Sequence, residues 1–319
     1  MISFAVRTIK TDLLLKKSKP VIINPFYHTV SDEKLSHIYP LYSPKTIENF
    51  ENDLDFLLHH FRPITINEEY YFLKNNIKPP QHSFVLSFDD GLRGIYENIL
   101  PLLLKKGVSA TIFINKDFVD NKNLFYRHKA ALLSNQIKKI NISKTTKNTI
   151  FNKIKNYIPT VKISTIENSF LQIRYPQCKI LDELAELLSV DFQEYLQTHK
   201  PYLTIQELQN MQSHGFTIGA HSIDHPDFRD INETEQIRQI VESCKFVKEV
   251  FNEKNSFFSF PFSDAKLPDS LFKIIESKID LSFGITGINC KNNHVGRIDM
   301  EKCQNAKETI NRAFLKYFL

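Results

Sequence analysis

No run of about 18 apolar residues occurs in this 319-residue chain, so nothing in it has the length of a membrane-spanning helix. The first twenty residues also lack the apolar core of a signal peptide, because Arg7, Lys10, Asp12 and the Lys16-Lys17 pair interrupt it. A soluble cytoplasmic protein is the expectation. The four cysteines, at 178, 244, 290 and 303, show no CxxC spacing and are too sparse for a disulfide scaffold, so they are read as reduced packing residues. Asp and Glu are absent from Asn121 to Ile166, where Lys122, Arg127, Lys129, Lys138, Lys139, Lys144, Lys147, Lys153, Lys155 and Lys162 accumulate, although the whole chain carries only +5. A solvated lysine-rich face accounts for this stretch, and so does a surface for anionic membrane headgroups or an acidic glycan. With no aromatic stacking array among the lysines, nucleic acid is not the expected partner. Internal repeats and low-complexity linkers are missing too.

What is present is a hydrophobic content of 42%, enough to bury a large core. Short apolar runs alternate with amphipathic stretches along the chain. Val21–Tyr27, Ser83–Phe88, Ala110–Ile114, Phe216–Ala220, Phe257–Phe260, Leu281–Thr286 and Val295–Ile298 read as strands. Between them, Ser43-Pro44 offers a cap and an N1 proline for a helix through Leu58, Gly107 a C-cap, and Thr204–Glu207 a capping box. Asn232 caps a helix with Ile237, Ile240, Cys244, Val247 and Phe251 on one face. Such alternation predicts an α/β fold, a distorted (β/α)7-type barrel, with an open doubly wound sheet as the alternative. Residues from about 116 to 202 lack strand character and read as a largely helical insertion between the third and fourth strands of one domain spanning 1–319.

Two stretches at strand ends carry the chemistry. His221 and His225 are four apart, a zinc-like spacing on a helix, yet Pro226 disfavours helix at His225 and makes this a turn. Alone, they fit two surface histidines equally well. Asp89 and Asp90 follow an apolar strand, where adjacent carboxylates need solvent, hydrogen bonds or a cation; capping the next helix is the plainer reading of either one. One Asp with two His is nevertheless the donor set of an open catalytic metal site.

Ser87-Phe88-Asp89-Asp90-Gly91 and His221-Ser222-Ile223-Asp224-His225-Pro226 resemble the (S/T)FDDG and H(S/T)xxHP blocks of the polysaccharide deacetylases that share the NodB homology domain, carbohydrate esterase family 4. The resemblance covers roughly 20–115 and 200–300. It implies hydrolysis of an N-acetyl group on an amino sugar of a glycan or glycolipid, with Asp89 as general base and Asp90, His221 and His225 holding one divalent metal, most commonly zinc. A backbone N–H from the loop after the fifth strand would hold the oxyanion. Two departures stand out. The family's RxPY block appears as Ser259-Phe260-Pro261-Phe262, leaving Pro261 and Phe262 as substrate-facing or supporting residues but no Arg; Arg297 is the candidate replacement, with an ordinary salt bridge as the other reading. The late His block has no clear copy, and His294 is the candidate general acid, a surface histidine being the alternative. His28, ending the first strand in Tyr-His-Thr-Val, is expected to face substrate or support the site, or else to be a packed structural histidine. Hydrolysis of another non-peptide carbon–nitrogen bond, or a glycan-binding protein that has lost turnover, are the rival functions.

Overall fold

The structure, a computed structural model, describes residues 10–318; the first part of the Met1–Pro20 segment discussed above lies outside them. The strands are β1 (Ile22–Ile23), β2 (Pro25–Tyr27), β3 (Arg62–Pro63), β4 (Ser83–Phe84), β5 (Ser87–Phe88), β6 (Thr111–Ile114), β7 (Thr217–Ala220), β8 (Phe257–Ser259), β9 (Leu281–Gly284), β10 (Cys290–Lys291), β11 (His294–Gly296) and β12 (Ile298–Asp299). Each of the first two apolar runs is thus split in two. Their early halves, β1 and β4, pair with β3 in a small parallel sheet.

The main sheet has the order β10-β11-β9-β8-β7-β6-β5-β2-β12, and only the β10/β11 hairpin is antiparallel. Its two margins are one piece of chain. β11 pairs with β9, β12 pairs with β2, and Arg297 alone separates β11 from β12. A single segment therefore joins the two sides of the curled sheet, and β2, β5, β6, β7, β8, β9 and β11–β12 form seven parallel staves. This is the barrel expected from the alternation of strands and helices. Arg297 sits where it closes.

The helices follow local signals, with two differences. Thr204 and Thr65 each form a capping box, and Asn232 caps the Glu233–Phe251 helix, whose Ile240, Cys244, Val247 and Phe251 are buried. Ser43-Pro44 does not start the next helix; Thr46 does, accepting a hydrogen bond from the Asn49 N–H, and the helix runs Ile47–His60. After β5 the chain winds first as a π-helix, Ile95–Ile99, then as an α-helix, Leu100–Lys106. Pro101 brings no N–H to the ladder there, which accounts for the wider turn preceding it. Gly107 ends it at φ +67°.

The chain divides into two compact units. The barrel belongs to one. The other comprises residues 33–44 and 121–201 and is helical: Tyr126–Lys139, Lys144–Lys155, Ile166–Ser169, Ile180–Leu187 and Phe192–His199. Ile150, Ile154, Phe170, Leu181, Leu184 and Leu188 are buried within it. Two of its basic residues pair with acids of the Ile180–Leu187 helix, Lys129 with Asp182 and Lys153 with Glu183, both at 2.6 Å. Among the described residues no helix is long and apolar enough to cross a membrane. The four cysteines are free; Cys244 packs in the core as expected, whereas Cys290 is exposed and does not.

Candidate metal centre

Parallel register brings the ends of β2, β5 and β12 level. Tyr27 pairs with Phe88 and Asp299 with Phe26, so the residues just beyond, His28, Asp89 and Glu301, emerge together. The Asp89 N–H donates to the Tyr27 carbonyl at 3.0 Å. The chain then turns sharply, Asp90 at φ +70° and Gly91 at φ +62°. A Cβ on Gly91 would come within 3.1 Å of the Ile114 Cγ2, so the turn needs glycine on two counts. Asp90 therefore starts no helix, and its carboxylate is directed to β7 and the loop beyond.

His221 ends β7, its N–H donating to the Ile114 carbonyl at 2.8 Å. The His221–Pro226 stretch is a turn, as Pro226 dictates, with Ser222 at φ +75° and His225 at φ +61°. Three positive-φ residues without glycine's freedom, Asp90, Ser222 and His225, in one cluster are stored backbone strain of the kind found at functional sites. Buried polar groups hold it. The Ser222 hydroxyl accepts from the His225 N–H at 3.0 Å and from Asn115 at 3.2 Å, and Gln239 bonds both the Ile223 N–H and the Asp224 carboxylate.

The result brings Asp90, His221 and His225, all buried, to within 4.8 Å of one another through their donor atoms. Asp90 Oδ1 lies 3.1 Å from His225 Nε2 and 3.5 Å from His221 Nε2, yet accepts no hydrogen bond. His221 Nδ1 faces the Ser259 carbonyl at 2.8 Å and must be the donor there. Burial, against the pull of Asp89, lowers the His221 pKa to about 4, so the ring is neutral and its Nε2 lone pair points at a carboxylate oxygen. The His221 lone pair and the His225 Nε2, both close to an unsatisfied buried oxygen, fit a cation between them. The donor set, two imidazoles and one carboxylate, matches zinc-type centres that leave a coordination position open.

Asp89 is held apart. Arg297 Nη1 donates to its Oδ1 and Nη2 to its Oδ2, each at 2.7 Å, while the Ser259 hydroxyl accepts from Nη2 at 2.6 Å and reaches Oδ2 at 3.3 Å. The guanidinium lies 4.2 Å over the Phe26 ring and is 1% exposed. Burial, the largest single influence, would raise the Asp89 pKa, but the charge and hydrogen bonds of Arg297 together with the nearby His221 and His28 outweigh it and hold the carboxyl below its usual value. So Ser259, standing where the resemblance places an arginine, supplies the hydroxyl that receives an arginine from the barrel closure.

His28 hydrogen-bonds Glu301 at Nδ1 (2.5 Å), and its backbone N–H donates to the same carboxylate at 3.1 Å. Burial would lower its pKa, but Glu301 first, then Asp90 and Asp89, push it up to about 10. Glu301 went unnoticed in the sequence, since only strand register sets it beside a residue 273 positions earlier. Phe262, at φ +55° and 38% exposed, rests edge-on against His225, ring centroids 4.7 Å apart, with Pro261 buried beside it in the turn after β8.

His294 is placed elsewhere. Arg297 points into the barrel, and side chains alternate along a strand, so His294 three residues earlier points outward. Its Nδ1 faces the Ser282 hydroxyl at 2.8 Å and its Nε2 the Asp264 carboxylate at 3.0 Å, with Phe260 and Phe272 against the ring. The general-acid role read for it from the sequence finds no geometry at this site.

A curled parallel sheet with an Asp-His-His group at its strand ends defines an α/β barrel whose rim carries a group that could hold a metal ion. The polysaccharide deacetylase family profile matches residues 76–277, and the chain belongs to that family. It is 31% identical over 120 residues to the poly-beta-1,6-N-acetyl-D-glucosamine N-deacetylase of Staphylococcus aureus strain MSSA476, a stretch covering 35% of this chain and 41% of that protein. The matched stretch is thus less than half of that relative. In structure it resembles the Streptococcus pyogenes deacetylase PplD, solved with acetate, at TM-score 0.60 and 13% identity over 92% of this chain and 99% of that one. IcaB from Ammonifex degensii gives TM-score 0.57 at 14% identity, covering 92% and 98%. At these identities the likeness is one of fold.

Proposed function

We propose that this protein is a metal-dependent N-deacetylase that removes acetyl groups from amino sugars of a glycan or glycolipid. The observation that carries this reading is the separation of two adjacent carboxylates: Asp90 joins His221 and His225, while Asp89 is locked onto Arg297 beside them. Asp90, His221 and His225 would hold the ion, with zinc the best match to the donors. Such an ion supplies Lewis acidity for the acetamide carbonyl and acidifies a water.

The residues around it do the proton work. Asp89, kept ionised and oriented by Arg297 and Ser259, takes the proton of the attacking water. His28, kept protonated by Glu301, donates a proton to the departing amine. This assigns the general acid to the first strand end and not to His294. Phe262 offers an exposed ring at the rim against which a sugar face can pack. Arg297 removes the reason for favouring an inactive binding protein, since the base has its arginine.

The substrate named for the staphylococcal relative makes a β-1,6-linked N-acetylglucosamine oligomer the first to test. The purified full chain should release acetate from it, lose that activity to a chelator and regain it with Zn²⁺ or Co²⁺. No acetate from N-acetylglucosamine oligomers under any metal would count decisively against this reading.

A further inference from the structure

Ser222, Ile223 and Asp224 separate His221 from His225, and the turn they make decides whether two histidines four apart in the chain meet at one point. Ser222 at φ +75° and His225 at φ +61° hold backbone conformations that a side chain disfavours, so local preference does not keep the turn in shape. Neighbouring groups must impose it. The Lys116 and Asp117 N–H groups donate to the Ser222 and Ile223 carbonyls at 3.2 and 2.9 Å, which ties the turn to the chain leaving β6. A second tie comes from Gln239.

Gln239 belongs to the Glu233–Phe251 helix, which packs against β7, and its side chain is fully buried. Its Oε1 accepts from the Ile223 N–H at 2.8 Å, while its Nε2 donates to Asp224 Oδ1 at 2.7 Å and to Glu235 Oε1 at 2.9 Å. Both amide hydrogens and the oxygen are thus engaged. The reversed amide would set its oxygen against two carboxylates and its NH2 against an N–H, so one orientation alone fits. Glu235 is itself gripped by Arg238 Nη2 at 2.6 Å on the same helix, which anchors the amide from behind. One side chain therefore holds two consecutive residues of the turn, Ile223 at its main chain and Asp224 at its carboxylate. The His221 ring has its own orienting partner in the Ser259 carbonyl. His225, at the far end of the turn, takes its place from the backbone that Gln239 holds.

We propose that Gln239 is a positioning residue of the metal centre, setting the turn that carries His225 to the ion shared with Asp90 and His221. The inference rests on the metal-centre reading of those three residues. Gln239 acts through Ile223 and Asp224 and takes no part in the chemistry itself.

Zinc affinity of the full chain, measured by competition with a chromophoric chelator, tests it. Gln239→Met, which keeps the length of the side chain and removes its hydrogen bonds, should weaken zinc binding by about tenfold to a hundredfold. Gln239→Asn carries the same amide one methylene short of its partners, disturbs packing less, and should weaken zinc binding as well. The neighbouring Ile240 is fully buried in the core, so Ile240→Val should lower the melting temperature and leave zinc affinity unchanged. That contrast separates positioning from general destabilisation. Unchanged zinc affinity in both Gln239 variants, or an equal loss in Ile240→Val, would overturn the proposal while leaving the metal centre in place. Failure of the unaltered chain to bind zinc would overturn both.

Discussion

Arg297 grips both oxygens of Asp89 from the residue that joins the two margins of the barrel sheet, each nitrogen at 2.7 Å from its oxygen. Closure of the fold and orientation of the proposed base are therefore one structural event. A lysine at 297 would offer a single ammonium where two parallel bonds are made.

Arg297→Met should leave Asp89 buried and unpaired, at a loss of roughly 3–5 kcal/mol in urea unfolding. Adding Asp89→Asn to that variant should restore much of the loss, because the stranded charge is gone. Additive losses in the double variant would show that Arg297 acts by packing alone.

Glu301 holds the His28 pKa at about 10, so a protonated His28 should persist through neutral pH and beyond. Glu301→Gln removes the main force raising it while burial continues to lower it. The alkaline limb of the kcat–pH profile should then move to lower pH, with kcat at pH 8 reduced on the order of 10²-fold. An unmoved limb would take the general-acid role away from His28.

In the helical unit, His37 is 5% exposed, hydrogen-bonded to the Tyr195 hydroxyl at 2.8 Å, and burial lowers its pKa to about 4. The unfolded imidazole takes up its proton near 6.5, well before the folded one does. Stability is thus present in full above about 6.5 and falls as the pH drops toward 4, by up to roughly 3 kcal/mol. His37→Gln should flatten that slope in denaturant titrations across this range; an unchanged slope would assign the acid sensitivity to other groups.

Much of this was legible in the sequence. Seven apolar runs bounded by caps and glycines became the seven staves, and Pro226 correctly ruled out a helix for His221–His225. What the sequence hid was mostly long-range. The two-residue strands β3 and β10 are too short for any periodicity, and the helical unit's share of residues 33–44 has no local signature. Glu301 reaches His28 only through β12 pairing with β2. Arg297 was legible as a candidate replacement for the arginine missing at Ser259, but the Ser259 hydroxyl that receives it was not, because the two meet only across the sheet. His294 is the instructive miss: period-two alternation from Arg297 already placed it on the outer face, and proximity in sequence to a glycine and an arginine was the weaker guide.

The central claim is that Asp89 and Asp90, neighbours in the chain, do different work, and paired metal and turnover measurements on two amide variants test it most directly. Asp89→Asn should bind one equivalent of Zn²⁺ like the unaltered chain and release no acetate from N-acetylglucosamine oligomers, whereas Asp90→Asn should lose both metal and turnover. Loss of metal in Asp89→Asn, or near-normal kcat in it, would contradict the assignment.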